Sequence, residues 1–94
     1  MSPGMKSHAG LTSISVTFRN DTVFEEQWTI KDGATDQVIF DGALGPRGDC
    51  PGDCVSLSLS APDGKYGDAY YKHGGQSIFT HRSLIEHGET VYMS

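Results

Sequence analysis

Positive charge is scarce in this 94-residue chain. Seven lysines and arginines stand against twelve aspartates and glutamates, which gives a net charge of −5 at neutral pH. The basic residues occur singly and form no run. A nucleic-acid-binding surface needs clustered lysines and arginines that displace the counterions of the phosphates. The sequence therefore predicts that neither DNA nor RNA is a partner.

Long apolar runs are lacking as well. No stretch approaches the roughly 18–20 apolar residues that span a bilayer, so the sequence predicts no membrane span. Residues 1–10 contain one lysine and no apolar core, which is unlike a secretory signal. We expect a disordered leader over residues 1–10 and a single folded domain over residues 11–94.

Complete catalytic motifs are also missing. The Gly-x-Ser-x-Gly elbow of hydrolases does not occur. The adjacent Glu25 and Glu26 would point to opposite faces of an extended strand, so they do not form a catalytic pair. A chain of this length leaves little room for a deep cleft that excludes water. We expect a protein that is not an enzyme and that carries no cofactor.

The chain does contain the period-two alternation that is typical of half-buried β-strands. Apolar and hydroxyl side chains alternate over residues 13–18, and valine or leucine alternates with serine over residues 55–60. Trp28 and Ile30 repeat the pattern and are assigned to the core. Further strand-like segments occupy residues 38–40, 66–73, 77–82 and 89–93.

Seven short strands at this spacing predict an all-β fold. The expected architecture is one small antiparallel β-sandwich, Ig-like or prealbumin-like, with a small barrel as the alternative. Helix-forming residues are confined to 82–87, which allows one helical turn at most.

One hairpin resembles a known family. The segment Ile30–Gly42, with Asp32-Gly33 at its turn, is similar to the second hairpin of prealbumin-like surface modules. Members of that family are seven-stranded sandwiches that serve as binding or stalk domains. The resemblance implies the same fold class and assigns no functional residue.

The most unusual segment is Gly-Pro-Arg-Gly-Asp-Cys-Pro-Gly-Asp-Cys at residues 45–54, called here the 45–54 loop. A turn at Pro51-Gly52 would bring Cys50 and Cys54 to the roughly 5.5–6 Å between Cα atoms that a disulfide prefers. We predict this disulfide, which would favour an extracellular or periplasmic location. The spacing is not that of a Cys-x-x-Cys redox pair, and no second ligand pair predicts a zinc site.

Stiff exposed loops lose little entropy on binding. We therefore expect a non-enzymatic binding module whose partner is a protein, or secondarily a glycan, with Arg47, Asp49 and Asp53 as binding residues. The Arg-Gly-Asp beside Cys50 is similar to the integrin-binding loop of disintegrins, which implies cell adhesion. The main alternative is a disulfide-braced inhibitor that presents Arg47 to a trypsin-like protease.

A second surface is predicted on the strand at residues 66–73. Tyr66, Tyr70 and Lys72 share its outward face, whereas Ala69 and Tyr71 point inward. This face would bind a protein or a glycan. The exposed edges of the sheets would also allow a homodimer.

A further alternative is a metal- or calcium-binding β-domain. The candidate ligands are histidines and turn aspartates, namely His73, His81 and His87 and Asp32, Asp36, Asp41, Asp49, Asp53 and Asp63. Neither set has the spacing of a known site, so we assign no metal ligand.

Overall fold

The computed structural model describes residues 12–94, so the leader expected over residues 1–10 lies outside the described residues. Seven strands follow one another along the chain: β1 (Thr12–Asn20), β2 (Glu26–Asp32), β3 (Val38–Leu44), β4 (Cys54–Ala61), β5 (Tyr66–His73), β6 (Thr80–Glu86) and β7 (Thr90–Met93). In this part of the chain no helix is long and apolar enough to cross a membrane.

The strands form two sheets. One has three strands in the order β4-β1-β7, and the other has four in the order β3-β2-β5-β6. Neighbouring strands are antiparallel except for β1 and β7, which run parallel over Thr17–Asn20 and Thr90–Met93. The prediction of a small all-β sandwich with seven strands is confirmed.

The core lies between the two sheets and follows from the alternation in the sequence. The inward side chains of β1 are Ile14, Val16 and Phe18, while their hydroxyl-bearing neighbours face outward. Trp28 is fully buried, as expected, and its ring contacts Tyr71 and His73 edge-on at centroid distances of 6.0 and 5.1 Å. Burial of each large apolar side chain stabilises the fold by roughly 1.5–3 kcal/mol.

The helix-forming residues of the 82–87 segment form no helical turn within β6, and the strand expected over residues 77–82 lies instead at Thr80–Glu86. Strand β6 continues to Glu86 and pairs with β5, with a register shift between Gly67 and Ala69. Leu84 has a positive φ of 57°. The helix-forming residues in this segment are overridden because an extended chain places Ile85 in the core.

Asp32 links the two sheets at the end of the β2–β3 hairpin. One carboxylate oxygen accepts the N–H of Ala34 in the hairpin turn at 2.8 Å, and the other accepts the N–H of Ser60 on β4 at 3.0 Å. Burial alone would raise the pKa of Asp32. Hydrogen bonds from Ser60 and from the backbone of the turn outweigh burial and hold the pKa below its ordinary value.

We predict that Asp32→Asn lowers the free energy of unfolding by about 1–3 kcal/mol at pH 7, since the new NH₂ group must face a backbone N–H donor. A folded pKa below the unfolded value of about 4 means that the carboxylate stabilises the fold above that value. The contribution is lost as the pH falls through the folded pKa. Urea unfolding at several pH values should therefore show the difference between variant and wild type shrinking towards pH ~2. A difference that stays constant with pH would contradict this assignment.

A second prediction concerns the close approach of β4 and β5. A Cβ atom at Gly67 would lie 2.7 Å from Leu59 Cδ2 and 2.9 Å from the Ser60 carbonyl oxygen. Gly67→Ala should therefore lower stability by about 1–3 kcal/mol through overpacking. Gly74→Ala is the matched control, because a Cβ atom there meets nothing within 4 Å. Its midpoint of urea unfolding should stay at the wild-type value, and equal midpoints for both variants would refute the packing argument.

Candidate binding loop

The 45–54 loop leads from β3 into β4 at one end of the sandwich. The register pairs Glu26 with Leu44, Arg19 with Cys54 and Trp28 with His73. The β1–β2 connection (residues 21–25) and the β5–β6 connection (residues 74–79) therefore lie at this same end. The 45–54 loop and these two connections thus lie together at one end of the sandwich.

The base of the loop is held by an ion pair whose carboxylate, that of Asp53, is buried and whose guanidinium, that of Arg19, is partly exposed. Asp53 is 1% exposed, and its Oδ2 accepts hydrogen bonds from Arg19 Nη2 at 2.8 Å and from the Gly48 N–H at 2.9 Å. The bond from Arg19 is the main reason why the pKa of Asp53 lies below its ordinary value, and the Gly48 N–H adds to this effect against the cost of burial. Tyr92 covers the Arg19 guanidinium at 5.9 Å. Asp53 therefore supports the loop from inside, and the surface is formed by its neighbours.

Asn20, the next residue on β1, ties the loop to the β1–β2 connection. Its fully buried amide donates hydrogen bonds to the carbonyl oxygens of Phe24 and Gly45, both at 2.8 Å, and to that of Leu44 at 3.3 Å. Its carbonyl oxygen accepts the N–H and the hydroxyl of Thr22. One side chain thereby satisfies backbone groups of two connections that are distant in sequence.

The upper part of the loop is braced within itself. Cys50 and Cys54 are joined by a disulfide with their Cα atoms 5.3 Å apart, as the spacing predicts. The Gly45 N–H donates a hydrogen bond to the Gly52 carbonyl at 2.9 Å, and the Asp53 N–H donates to the Asp49 carbonyl at 3.0 Å. These bonds close the loop into a compact unit with little freedom to rearrange.

Arg47 and Asp49 are exposed on this braced loop. The Arg47 N–H is bonded to the Thr22 carbonyl at 2.9 Å, so the Arg-Gly-Asp segment rests on the β1–β2 connection. Among the three loop residues predicted to bind, these two face solvent and Asp53 does not.

Sequence reasoning missed two apolar residues beside the loop. Val23 is 60% exposed and Phe24 is 70% exposed. Both belong to the β1–β2 connection, whose Thr22 carbonyl accepts the Arg47 N–H. An available signal was the pair Val-Phe between the turn residues Asn20-Asp21-Thr22 and the acidic pair Glu25-Glu26. Because turn residues precede this apolar pair and charged residues follow it, the pair lies outside the strands whose inward faces form the core.

The second predicted surface runs along the outward face of β5. Tyr66, Tyr70 and Lys72 lie on the outward face of β5, while Ala69 and Tyr71 are buried as expected. Tyr70 stacks on His81 at 4.4 Å, and the Lys72 ammonium lies 5.0 Å from the centre of the Phe79 ring. Tyr66 lies at the opposite end of the sandwich from the 45–54 loop, beside an open groove of about 400 Å³. Tyr66 is therefore distant from the 45–54 loop, whereas Lys72 lies near the end of β5 that leads into the β5–β6 connection.

The three candidate histidines do not come together. His73 contacts Glu26 at 3.6 Å, His81 contacts Asp68 at 3.7 Å, and the His87 ring accepts the Ser15 N–H at 3.1 Å. Over residues 12–94, no group of three potential metal ligands includes any of them.

A comparison with models of protein families, with curated proteins and with solved structures found no match to this chain.

We predict that Asn20→Ala loosens both connections together. The change removes the Asn20 hydrogen bonds to three carbonyl oxygens and from Thr22, and it should lower the free energy of unfolding by about 3 kcal/mol. Hydrogen exchange should accelerate over residues 21–25 and 45–53 in parallel. Asp21→Ala, at an exposed neighbouring position, should leave both segments protected. Faster exchange in only one segment would show that Asn20 does not couple them.

Proposed function

We propose that this domain is a non-enzymatic binding module that recognises a protein partner through Arg47 and Asp49 of the 45–54 loop together with Val23 and Phe24. The observation that carries the proposal is the joint anchoring of both connections on Asn20, which presents exposed apolar and charged side chains on one stiff surface.

Rigidity favours binding because less conformational entropy is lost when the complex forms. The disulfide, the Arg19–Asp53 pair and the bonds within the loop all act in this direction. Aromatic residues and arginine are enriched at the centres of protein interfaces. Phe24 and Arg47 combine these two residue types on neighbouring segments.

A protein partner suits this surface better than a small ligand. Small ligands favour concave sites that enclose most of their area, whereas these side chains protrude from connecting loops. The groove lined by Tyr66, Pro62 and Leu84 is at the opposite end. A substrate-like protease inhibitor would present Arg47 in an extended segment, but Arg47 lies in a turn. We therefore prefer protein binding to protease inhibition.

The test compares proteins captured from the native source by the wild type and by variants. Phe24→Ala and Arg47→Ala should each weaken binding of the same captured protein, once purified, by roughly 30-fold, as expected for interface residues worth about 2 kcal/mol. Binding is measured by surface plasmon resonance with the purified partner.

Val38→Ala is the matched control, since Val38 is a 56% exposed apolar residue near the opposite end of the sandwich. Its affinity should equal that of the wild type. A partner whose binding is insensitive to Phe24→Ala and Arg47→Ala would overturn the proposal. Inhibition of trypsin that disappears in Arg47→Ala would establish the inhibitor function instead.

A further inference from the structure

The 45–54 loop contains a second chemical possibility that the binding function does not use. The sulfur atoms of Cys50 and Cys54 and one carboxylate oxygen of Asp53 lie within 4.8 Å of one another. Within residues 12–94, no other three side chains of histidine, cysteine or acidic type are arranged in this way. The sulfurs are joined as a disulfide, and its reduction creates two thiols beside a carboxylate.

The carboxylate of Asp53 has one oxygen held by hydrogen bonds and, within residues 12–94, one oxygen free to bind a ligand. Its Oδ2 is held by Arg19 and by the Gly48 N–H, whereas its Oδ1 is buried and accepts no hydrogen bond from the described residues. A buried oxygen without a partner is unfavourable. Carboxylates that bind metals are themselves oriented by hydrogen bonds from a surrounding group, and Arg19 and Gly48 provide such bonds here.

We propose that the reduced loop binds one divalent transition metal ion, with zinc as the type case, through the thiolates of Cys50 and Cys54 and the carboxylate of Asp53. Two thiolates and one carboxylate carry three negative charges, which a divalent cation and the Arg19 guanidinium balance. Thiolate ligands favour zinc over calcium and magnesium. Three protein ligands leave a fourth position open, as in zinc sites that bind water or another molecule.

A closed zinc site with four protein ligands needs a second pair of cysteines or histidines at suitable spacing, which the chain lacks, whereas a site with an open position needs only three protein ligands. In a tetrahedral site with zinc–sulfur bonds of about 2.3 Å, the two sulfurs lie about 3.8 Å apart. The Cα atoms, 5.3 Å apart, leave the side chains room to reach that separation after reduction. Cys50 is exposed, which gives the ion a path from solvent.

Opening the Cys50–Cys54 disulfide is a two-electron reduction. A dithiol reductant transfers two electrons and two protons to the sulfurs of Cys50 and Cys54 and itself becomes a disulfide. The metal ion then replaces the two thiol protons, which are released to solvent. The loop therefore alternates between a disulfide-closed state and a metal-closed state.

Cobalt titration of the full-length protein tests the proposal, because thiolate bound to Co²⁺ gives a near-ultraviolet charge-transfer band that histidine ligands do not. A phosphine reductant opens the disulfide; the phosphine takes the oxygen of one water molecule and becomes the phosphine oxide. The reduced protein should develop the band up to one equivalent of Co²⁺, and Zn²⁺ should abolish it. The oxidised protein should give no band.

Asp53→Asn should weaken Co²⁺ binding by roughly 10–100-fold, the range seen even for groups behind the ligands of metal sites. Asp21→Asn, which removes an exposed acid outside the loop, should leave the Co²⁺ affinity unchanged. Melting of the oxidised variants checks that they fold. If Asp53→Asn does not fold, the wild-type comparison of reduced and oxidised protein still decides the result. A reduced wild type without the band, or a folded Asp53→Asn with wild-type affinity, would overturn the proposal.

Discussion

The loop end of this sandwich depends on hydrogen bonds to two polar groups that are buried there. The Asp53 carboxylate and the Asn20 amide are both removed from solvent, and such groups are strongly unfavourable without hydrogen bonds. Arg19 and Asn20 are adjacent on β1, the central strand of the three-stranded sheet. Their side chains point to opposite faces of the strand. Arg19 therefore donates a hydrogen bond to one oxygen of Asp53, while Asn20 donates to the Gly45 carbonyl at the start of the loop. The positions of the 45–54 loop and the β1–β2 connection are therefore set by two neighbouring residues of a central strand.

Much of the fold could be predicted from the sequence because it rests on local patterns. Alternation in residues 13–18 and 55–60 specifies which face of each strand is buried, since a slip of one residue would turn every apolar side chain outward. The same alternation predicts that Trp28, Ala69 and Tyr71 lie in the core, and all three are buried there. The Cys50–Cys54 disulfide was predictable because the four-residue separation itself limits the distance.

Features that depend on contacts between distant segments were not predictable. The parallel pairing of β1 with β7 joins segments about 73 residues apart and leaves no periodic signature. The inward direction of Asp53 follows from Arg19, 34 residues earlier. Likewise, the position of Phe24 beside the 45–54 loop becomes evident only from the hydrogen bond between the Arg47 N–H and the Thr22 carbonyl. At the site, therefore, the sequence identified the loop and its disulfide but not the division between supporting and exposed residues.

The disulfide and the Arg19–Asp53 pair act on different parts of the loop. A ring closed between residues four apart stabilises a fold by only roughly 2 kcal/mol in the loop-entropy model, and it joins no separate elements. Arg19 and Asn20, in contrast, connect the loop to β1 and to the β1–β2 connection. The base of the loop therefore has supports that do not depend on sulfur chemistry. Asp53 belongs both to this base and to the cluster with the two sulfurs, and its bonds to Arg19 and Gly48 hold it in place whether or not the sulfurs are joined.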